Sequence, residues 1–177
     1  NTPLWFRKKM EELQASNIRV FIVQGNHDAQ NRTMERAFRL QMPENVHVFR
    51  TSKPESVEIK ELQTVIHGQG FATEDVSENL ADQFPPPRQG WLNIGLLHTN
   101  CGAYREHGNY APSTIPGLTA KNYDYWALGH IHKPSVLRES NPWIIYPGNL
   151  QGRHINEEGA KGCTLVMVRD NRIAKVE

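Results

Sequence analysis

The feature that constrains this chain most is an apolar run that ends in a polar turn. The run covers residues 18–23, and Gly25-Asn26-His27-Asp28 follows it after one glutamine. A short apolar run rich in β-branched residues predicts a buried strand, and open α/β sheets place their ligands at turns beyond the carboxyl ends of strands. The pattern therefore predicts an α/β fold with a site at this turn.

The two central residues of the turn suit two chemical roles. The side-chain carbonyl oxygen of Asn26 is a neutral ligand for a divalent cation. The imidazole of His27 can donate or accept a proton near neutral pH. Asparagine and glycine are also favoured in ordinary turns, so the turn alone leaves a structural explanation open.

Two later segments repeat the pattern of an apolar run followed by histidine. His98 follows residues 92–97, and His130-Ile131-His132 follows residues 125–129. In extended backbone, His130 and His132 face the same way with Cα atoms roughly 6 to 7 Å apart. That spacing can chelate one ion, or place one imidazole on each of two ions in a two-metal site, which suits phosphoester chemistry.

A two-metal site also needs carboxylates, which this pattern lacks. Two adjacent dications held by histidine and asparagine alone would repel each other strongly. None of the chain's aspartates lies in an Asp-x-His or strand-Gly-Asp context. The sequence therefore supplies the histidine and asparagine ligands of such a site but not its carboxylates. These aspartates are Asp28, Asp75, Asp82, Asp124 and Asp170.

Composition sets broad limits on partners and compartment. The 177 residues include 20 Lys plus Arg against 19 Asp plus Glu, and the net charge of +1 gives no global argument for binding nucleic acid or membrane. Cys101 and Cys163 lie far apart, which favours reduced thiols. No apolar run approaches the roughly 20 residues of a membrane span. We expect a single domain in a cytoplasmic protein, with no membrane contact.

Periodicity predicts the remaining elements. Residues 3–15 repeat apolar side chains at helical spacing, and a second helix is expected over residues 32–40. Residues 57–59 and 62–66 predict a hairpin, and residues 99–117 predict a long functional loop. Other strands are expected at 46–49 and 91–97, and one more is expected to end at Gly129. The tail is predicted to be a β-meander with strands at 135–138, 143–146, 163–169 and 172–176.

Taken together, the motifs carry a family resemblance. Four motifs stand in the order typical of the calcineurin-like metallophosphoesterases: GNHD at 25–28, His98, GHIH at 129–132 and YPGN at 146–149. Three further segments narrow the resemblance to one group within this family: YAP at 110–112, the run from 123 to 134 and QGRH at 151–154. The chain most resembles the SbcD-type DNA repair exonucleases and their YhaO-like relatives, essentially over its whole length.

The resemblance implies a fold and a set of roles. The fold would be α/β, a sandwich of two mixed sheets flanked by helices, with its first βαβ portion missing and residues 1–177 forming the C-terminal part of one nuclease domain. Asn26, His98 and His130 would bind one divalent ion and His132 the other, with manganese usual in this family, while His27 would be the catalytic acid. The family's Asp-x-His and Gly-Asp motifs are expected before Asn1, and its DNA-capping and ATPase-docking regions after Glu177.

The implied function is a metal-dependent exonuclease of double-strand-break repair that acts on DNA ends with an SbcC-like ATPase subunit, and we expect a homodimer. These 177 residues alone would bind metal weakly and be poor catalysts. One alternative is an enzyme of the same fold acting on small phosphodiesters or phosphoproteins. Another is a metal-poor pseudoenzyme that serves as a binding module.

Four further histidines and one arginine have more than one interpretation. His47, His67 and His107 have no partners at ligand spacing and are expected to be structural or surface residues. Arg153 and His154 could contact a substrate phosphate, although a loop pair of this kind is as often a solvated surface feature.

Overall fold

The computed structural model describes residues 2–30, 42–102 and 110–177. Within these ranges the helices are α1 (Thr2–Ala15), α2 (Asn26–Gln30) and α3 (Ile115–Ala120). The helix expected over residues 32–40, and His107, lie outside the described residues. The strands are β1 (Val20–Ile22), β2 (Val46–Val48), β3 (Glu55–Ile59), β4 (Thr64–Gln69), β5 (Leu92–His98), β6 (Tyr125–Gly129), β7 (Ser135–Glu139), β8 (Trp143–Tyr146), β9 (Val166–Arg169) and β10 (Arg172–Val176).

The centre of the fold is a six-stranded mixed sheet with the strand order β3-β4-β5-β6-β8-β7. The four inner strands run parallel, whereas β3 and β7 pair antiparallel at the edges. The carboxyl ends of β4, β5, β6 and β8 therefore meet at one edge of the sheet, where α/β proteins place ligands. The predicted α/β class is confirmed.

Two small sheets accompany the large one. Strands β1 and β2 pair in parallel, and β9 and β10 pair antiparallel. The segment after β1 is tied to the segment after β4, because the Phe71 backbone N–H donates to the Gln24 carbonyl at 2.9 Å. This bond places the Gly25 turn beside the carboxyl edge of the large sheet.

The core lies against the large sheet and is rich in aromatic rings. Trp126 and Tyr146 are fully buried, and Tyr123 is almost so. The Tyr123 ring stacks on Trp126 with centroids 5.0 Å apart, and on its other side lies the His67 ring, with centroids 4.4 Å apart. Such stacked rings fix the two central strands that lead to the carboxyl edge.

Several predicted elements are confirmed. Helix α1 buries Met10 and half-buries Phe6 and Leu13, which is the predicted apolar stripe. The hairpin forms between β3 and β4, joined by a short 3₁₀ turn at Lys60–Leu62. Cys101 and Cys163 are both free thiols, as expected. No helix among the described residues is long and apolar enough to cross a membrane.

The four predicted tail strands form and pair as the antiparallel hairpins β7–β8 and β9–β10, but the prediction of one continuous meander is wrong. Strand β8 lies between β6 and β7 and pairs in parallel with β6, while β9 and β10 form a separate sheet. The reason is that Ile144, Ile145 and Tyr146 are all buried, so β8 suits the interior of a parallel sheet rather than a half-solvated meander.

Strand β1 also differs from the prediction. The apolar run was expected to be buried, but Val20, Phe21 and Ile22 are each half-buried. In the described residues, β1 has β2 as its strand partner. A two-stranded sheet covers its strands less completely than the six-stranded sheet covers β5 and β6.

Candidate metal centre

The turn after β1 holds Asn26 and His27 in different environments. The Gly25 carbonyl accepts hydrogen bonds from the Asp28 and Ala29 backbone N–H groups, both at 3.1 Å. The Asp28 side chain closes the turn by accepting from the Gly25 N–H at 3.0 Å. Within this rigid turn Asn26 is buried and His27 is exposed.

Asn26 meets His98 at the carboxyl edge of the sheet. His98 is the last residue of β5, and its Nε2 lies 2.9 Å from the Asn26 Oδ1. The edge of Phe71 packs on the His98 ring, with centroids 5.0 Å apart. Two neighbouring ligands of one cation are also about 3 Å apart when each bond is about 2.1 Å long. The pair therefore already has a separation that a shared cation requires.

His130 lies beside this pair because β6 is the neighbour of β5. Gly129 is opposite His98 in the strand register, and the His98 and His130 ring centroids are 5.2 Å apart. His130 has a φ of 104°, a conformation that residues with a side chain rarely adopt. Strained backbone of this kind persists where surrounding structure enforces it, and it clusters at functional sites.

The electrostatic environment keeps His98 neutral. Burial, followed by the charges of His130, His27 and His132, lowers the pKa of His98 from 6.5 to about 3. At neutral pH the ring therefore has the unprotonated form that a metal ligand needs. The same shift indicates that His130, His27 and His132 each act electrostatically on His98.

His132 has a carboxylate partner that the sequence did not reveal. Its Nδ1 lies 2.7 Å from the Oε1 of Glu157. Hydrogen bonds from the Arg153 backbone, from His132 and from the Asn149 side chain lower the pKa of Glu157 to about 2. Glu157 lies 25 residues beyond His132, and no short-range motif links the two.

Arg153 and His154 lie on the exposed loop after β8. His154 lines a cavity of about 670 Å³ together with His132, Lys133 and Lys161. The part of Arg153 that contacts Glu157 is its backbone N–H, at 2.8 Å. The structure thus places His154 in the cavity that contains a predicted metal ligand.

Comparison with known proteins decides the family. The profile of the calcineurin-like phosphoesterase superfamily domain matches residues 6–171. The chain belongs to the calcineurin-like phosphoesterase superfamily. It is also 37% identical over 174 residues to the uncharacterized metallophosphoesterase YhaO of Bacillus subtilis (strain 168), an alignment that covers 97% of this chain and 42% of that relative. The chain therefore spans about two-fifths of the length of the curated relative it matches.

Membership in this superfamily confirms the resemblance found in the motifs and supports phosphoester hydrolysis. Proteins of the calcineurin-like phosphoesterase superfamily generally bind divalent metal ions. The imidazole and amide donors of Asn26, His98, His130 and His132 suit such ions. The closer assignment to SbcD-type exonucleases remains a prediction.

The donor set of this chain fits part of a divalent-cation site. Asn149, beside Glu157, has a buried Oδ1 with no hydrogen-bond partner among the described residues. Nowhere in residues 2–30, 42–102 and 110–177 do three His, Cys, Asp or Glu side chains form a group that could hold a metal by themselves. Amide oxygens such as that of Asn26 therefore have to contribute if a cation binds there.

Two glycines that the sequence analysis did not single out leave room for His98. A Cβ built on Gly25 would lie 2.4 Å from the Nδ1 of the His98 ring, and one on Gly129 would lie 3.0 Å from the same atom. Contacts below 3.0 Å require something to move. Gly25 is therefore needed for the Asn26 turn to approach the histidine so closely.

A buried tyrosine braces the segment that follows His98. The hydroxyl of Tyr146 accepts a hydrogen bond from the Cys101 N–H at 2.8 Å and donates one to the Thr99 carbonyl at 2.7 Å. The Thr99 N–H in turn donates to the Gly129 carbonyl at 3.2 Å. These bonds hold the ends of β5, β6 and β8 together, and with them the histidines that follow.

Proposed function

We propose that this chain carries metal ligands and the proton donor of a phosphodiesterase that acts on DNA ends, an SbcD-like exonuclease. The observation that supports it best is the meeting of Asn26 and His98 at 2.9 Å, with the His130 ring beside them. Three residues from three separate segments converge there, as a two-metal phosphoesterase site requires.

In this proposal Asn26, His98 and His130 hold one divalent ion and His132 holds the other, with manganese as the preferred metal. Bound ions of this kind neutralise a phosphate and lower the pKa of bound water. The protein's own contribution is to present neutral donors: the amide of Asn26 carries no charge, and His98 is kept unprotonated by burial.

His27 is the proposed catalytic acid. It is exposed, unlike its buried neighbour Asn26, so a substrate can reach its imidazole. In its protonated form it would donate a proton to the leaving oxygen as the phosphodiester bond breaks, and it would return to the charged form by taking a proton from water.

Two lysines and His154 line the cavity beside His132, together with Glu157 and Glu158, and the lysines support a polyanionic substrate. Lys133, His154 and Lys161 line the cavity of about 670 Å³ that includes His132, and Arg153 lies beside it on the loop. Cations arranged next to the metal ligands can contact the phosphates that flank the cleaved bond. We assign Arg153 and His154 to substrate binding on this basis.

The roles can be separated in the full-length protein. We expect His27→Ala to abolish turnover while manganese content stays at the wild-type value. His130→Ala should remove both metal and activity. Metal loss in His27→Ala with activity retained would contradict the assignment of the acid.

The substrate class needs its own test. The metal ligands do not specify whether the diester is DNA or a small molecule. We expect manganese-dependent cleavage of linear duplex DNA, and we would compare it with a small aryl phosphodiester. Cleavage of the aryl ester alone would favour a small-molecule phosphodiesterase or phosphatase of the same fold.

The proposal also includes partners. By the motif resemblance, the nuclease would work as a homodimer with an SbcC-like ATPase subunit. The mass of the purified protein, alone and mixed with the ATPase, tests both parts. A monomer that does not bind the ATPase would remove these partners and leave the hydrolase proposal standing.

A binding module remains the second candidate. It is favoured by the lack, within the described residues, of three His, Cys, Asp or Glu side chains grouped around one point. Such a module would bind DNA or a partner without hydrolysis. Detection of two tightly bound metal ions in the full-length protein would exclude it.

A further inference from the structure

We propose that Glu157 is a positioning residue that orients His132 and fixes its tautomer for metal binding. This inference rests on the proposed function, because it assumes that His132 is a metal ligand. It adds a residue that no sequence motif indicated, from a loop that the resemblance linked to substrate instead.

The first argument is the hydrogen bond itself. The Oε1 of Glu157 lies 2.7 Å from the Nδ1 of His132. An ionised carboxylate can accept hydrogen bonds but cannot donate them. His132 must therefore carry its proton on Nδ1, which leaves the lone pair of the neutral ring on Nε2, the atom that would bind a cation.

The second argument is that Glu157 is itself held in place. Its other oxygen, Oε2, accepts from the Asn149 side chain at 2.7 Å and from the Arg153 backbone N–H at 2.8 Å. The side chain is 21% exposed, so it is largely enclosed by these partners. These two donors hold the carboxylate independently of the histidine, and a fixed acceptor can orient a ring.

The third argument is that the same loop also packs on the backbone of His132. The Asn149 N–H donates to the His132 carbonyl at 3.1 Å. Gly148 has a φ of 78°, and a Cβ there would lie 2.8 Å from that carbonyl oxygen. The loop therefore contacts both the backbone and the ring of His132, as expected if the loop positions this histidine.

Carboxylates in this position have a known physical effect. They fix the orientation of a ligating histidine and raise its basicity, and their removal typically lowers metal affinity by about 10 to 100-fold. Glu157→Ala should cause a loss in this range. Glu157→Gln keeps an acceptor oxygen but loses the charge, so we expect a smaller loss.

The experiment uses the full-length protein with Glu157→Ala, Glu157→Gln and the matched control Glu158→Gln, whose side chain is exposed. The first readout is the tautomer of His132 in the metal-free protein, from ¹⁵N–¹H correlation spectra of the imidazoles, with His132→Gln to assign the signals. The second is the affinity for manganese alone. Thermal unfolding shows which variants remain folded.

We expect wild type and Glu158→Gln to share the Nδ1–H tautomer and the same manganese affinity. Glu157→Ala should lose the tautomer preference and bind manganese more weakly, and Glu157→Gln should recover part of both. If Glu157→Ala does not fold, Glu157→Gln carries the test. An unchanged tautomer and affinity in the folded variants would overturn the inference. A wild-type protein that binds no manganese, yet shows the tautomer, would instead contradict the proposed function.

Discussion

His67 and His98 lie on neighbouring parallel strands, His67 buried and His98 half-buried, and their surroundings differ. His67 lies within β4, with Ser56 Oγ 2.8 Å from its Nδ1 and Asn93 Oδ1 3.2 Å from its Nε2. His98 lies at the end of β5, where its Nε2 meets Asn26 and other histidines surround it. Burial lowers the pKa of both rings.

The difference shows that neither burial nor a lowered pKa marks a functional histidine. Both ring nitrogens of His67 contact side chains of the same sheet, which gives a closed network that stabilises the fold. His98 faces donors from other segments, at the edge where strands end. Position at the carboxyl edge and convergence with the other proposed metal ligands separate the two, so mutations should separate metal binding from stability.

The largest expected effect is the loss of metal in His98→Ala. The substitution removes a proposed direct ligand and leaves Asn26 without its partner. We expect manganese binding at this position to become undetectable by calorimetry in the full-length protein. His67→Ala is the matched control and should bind manganese normally if folded. Equal metal loss in the two variants would break the distinction between them.

The converse effect is a loss of stability in His67→Ala. The substitution leaves a cavity against Tyr123 and removes the partner of Ser56 and Asn93. We expect the free energy of unfolding to fall by about 2–4 kcal/mol, measured by urea denaturation of metal-free protein. A drop of less than about 0.5 kcal/mol, the scale of surface substitutions, would mean that the network contributes little.

Acid should destabilise the metal-free protein through both rings. His98 has a folded pKa of about 3 against 6.5 in the unfolded chain, so between these values the unfolded chain binds more protons. Stability should therefore fall as the pH drops from 6.5 towards 3, by about 3 kcal/mol at pH 4.5 for His98. Urea unfolding at pH 7.5 and about pH 4.5 measures the loss. His98→Gln should reduce this pH dependence, and an unchanged dependence would show that His98 is protonated in the folded state.

A smaller effect is expected from Gly25→Ala. The added methyl group would overlap the His98 ring, so the ring or the turn must shift away from the observed contact. We expect manganese affinity to fall by about 10-fold, comparable to the loss of a residue that orients a ligand. Gly162→Ala is the control, because a Cβ there meets no atom within 4 Å. Equal affinities in the two variants would show that the site tolerates displacement of His98.

The smallest effect should come from the basic cavity. Replacing Lys133 and Lys161 by alanine removes two cations beside His132. We expect the KM for duplex DNA to rise by about 3 to 10-fold at low salt, with little change for an aryl phosphodiester. The control is Lys60→Ala, in the turn before β4 at the opposite edge of the sheet. A matching rise for Lys60→Ala would indicate a general charge effect.

The sequence predicted which side chains meet at the carboxyl edge better than it predicted the topology. Asn26, His98 and His130 were found because each follows an apolar run, and parallel strands bring such positions to one edge. The place of β8 between β6 and β7 was missed, since strand periodicity does not state which strand is the neighbour. Long-range pairing depends on burial by the rest of the chain, as the three buried residues of β8 illustrate.

Glu157 and Gly25 were missed as functional residues for a different reason. Glu157 lies 25 residues beyond His132, with β7 and β8 between them, and no spacing rule connects a carboxylate to a histidine at that distance in sequence. Gly25 belongs to a recognised turn, but its closeness to the His98 ring depends on how two separate strands meet. Tertiary packing decides which residues support a site, so the sequence does not show them. The proposed ligands can be predicted because they lie at the ends of strands.

The most direct test of the central claim is anomalous diffraction from crystals of the full-length protein grown with manganese. We predict one manganese peak about 2 to 2.5 Å from the Oδ1 of Asn26 and the Nε2 of His98, and a second at a similar distance from the Nε2 of His132. Peaks at other residues, or none at Asn26 and His98 in crystals saturated with manganese, would contradict the account.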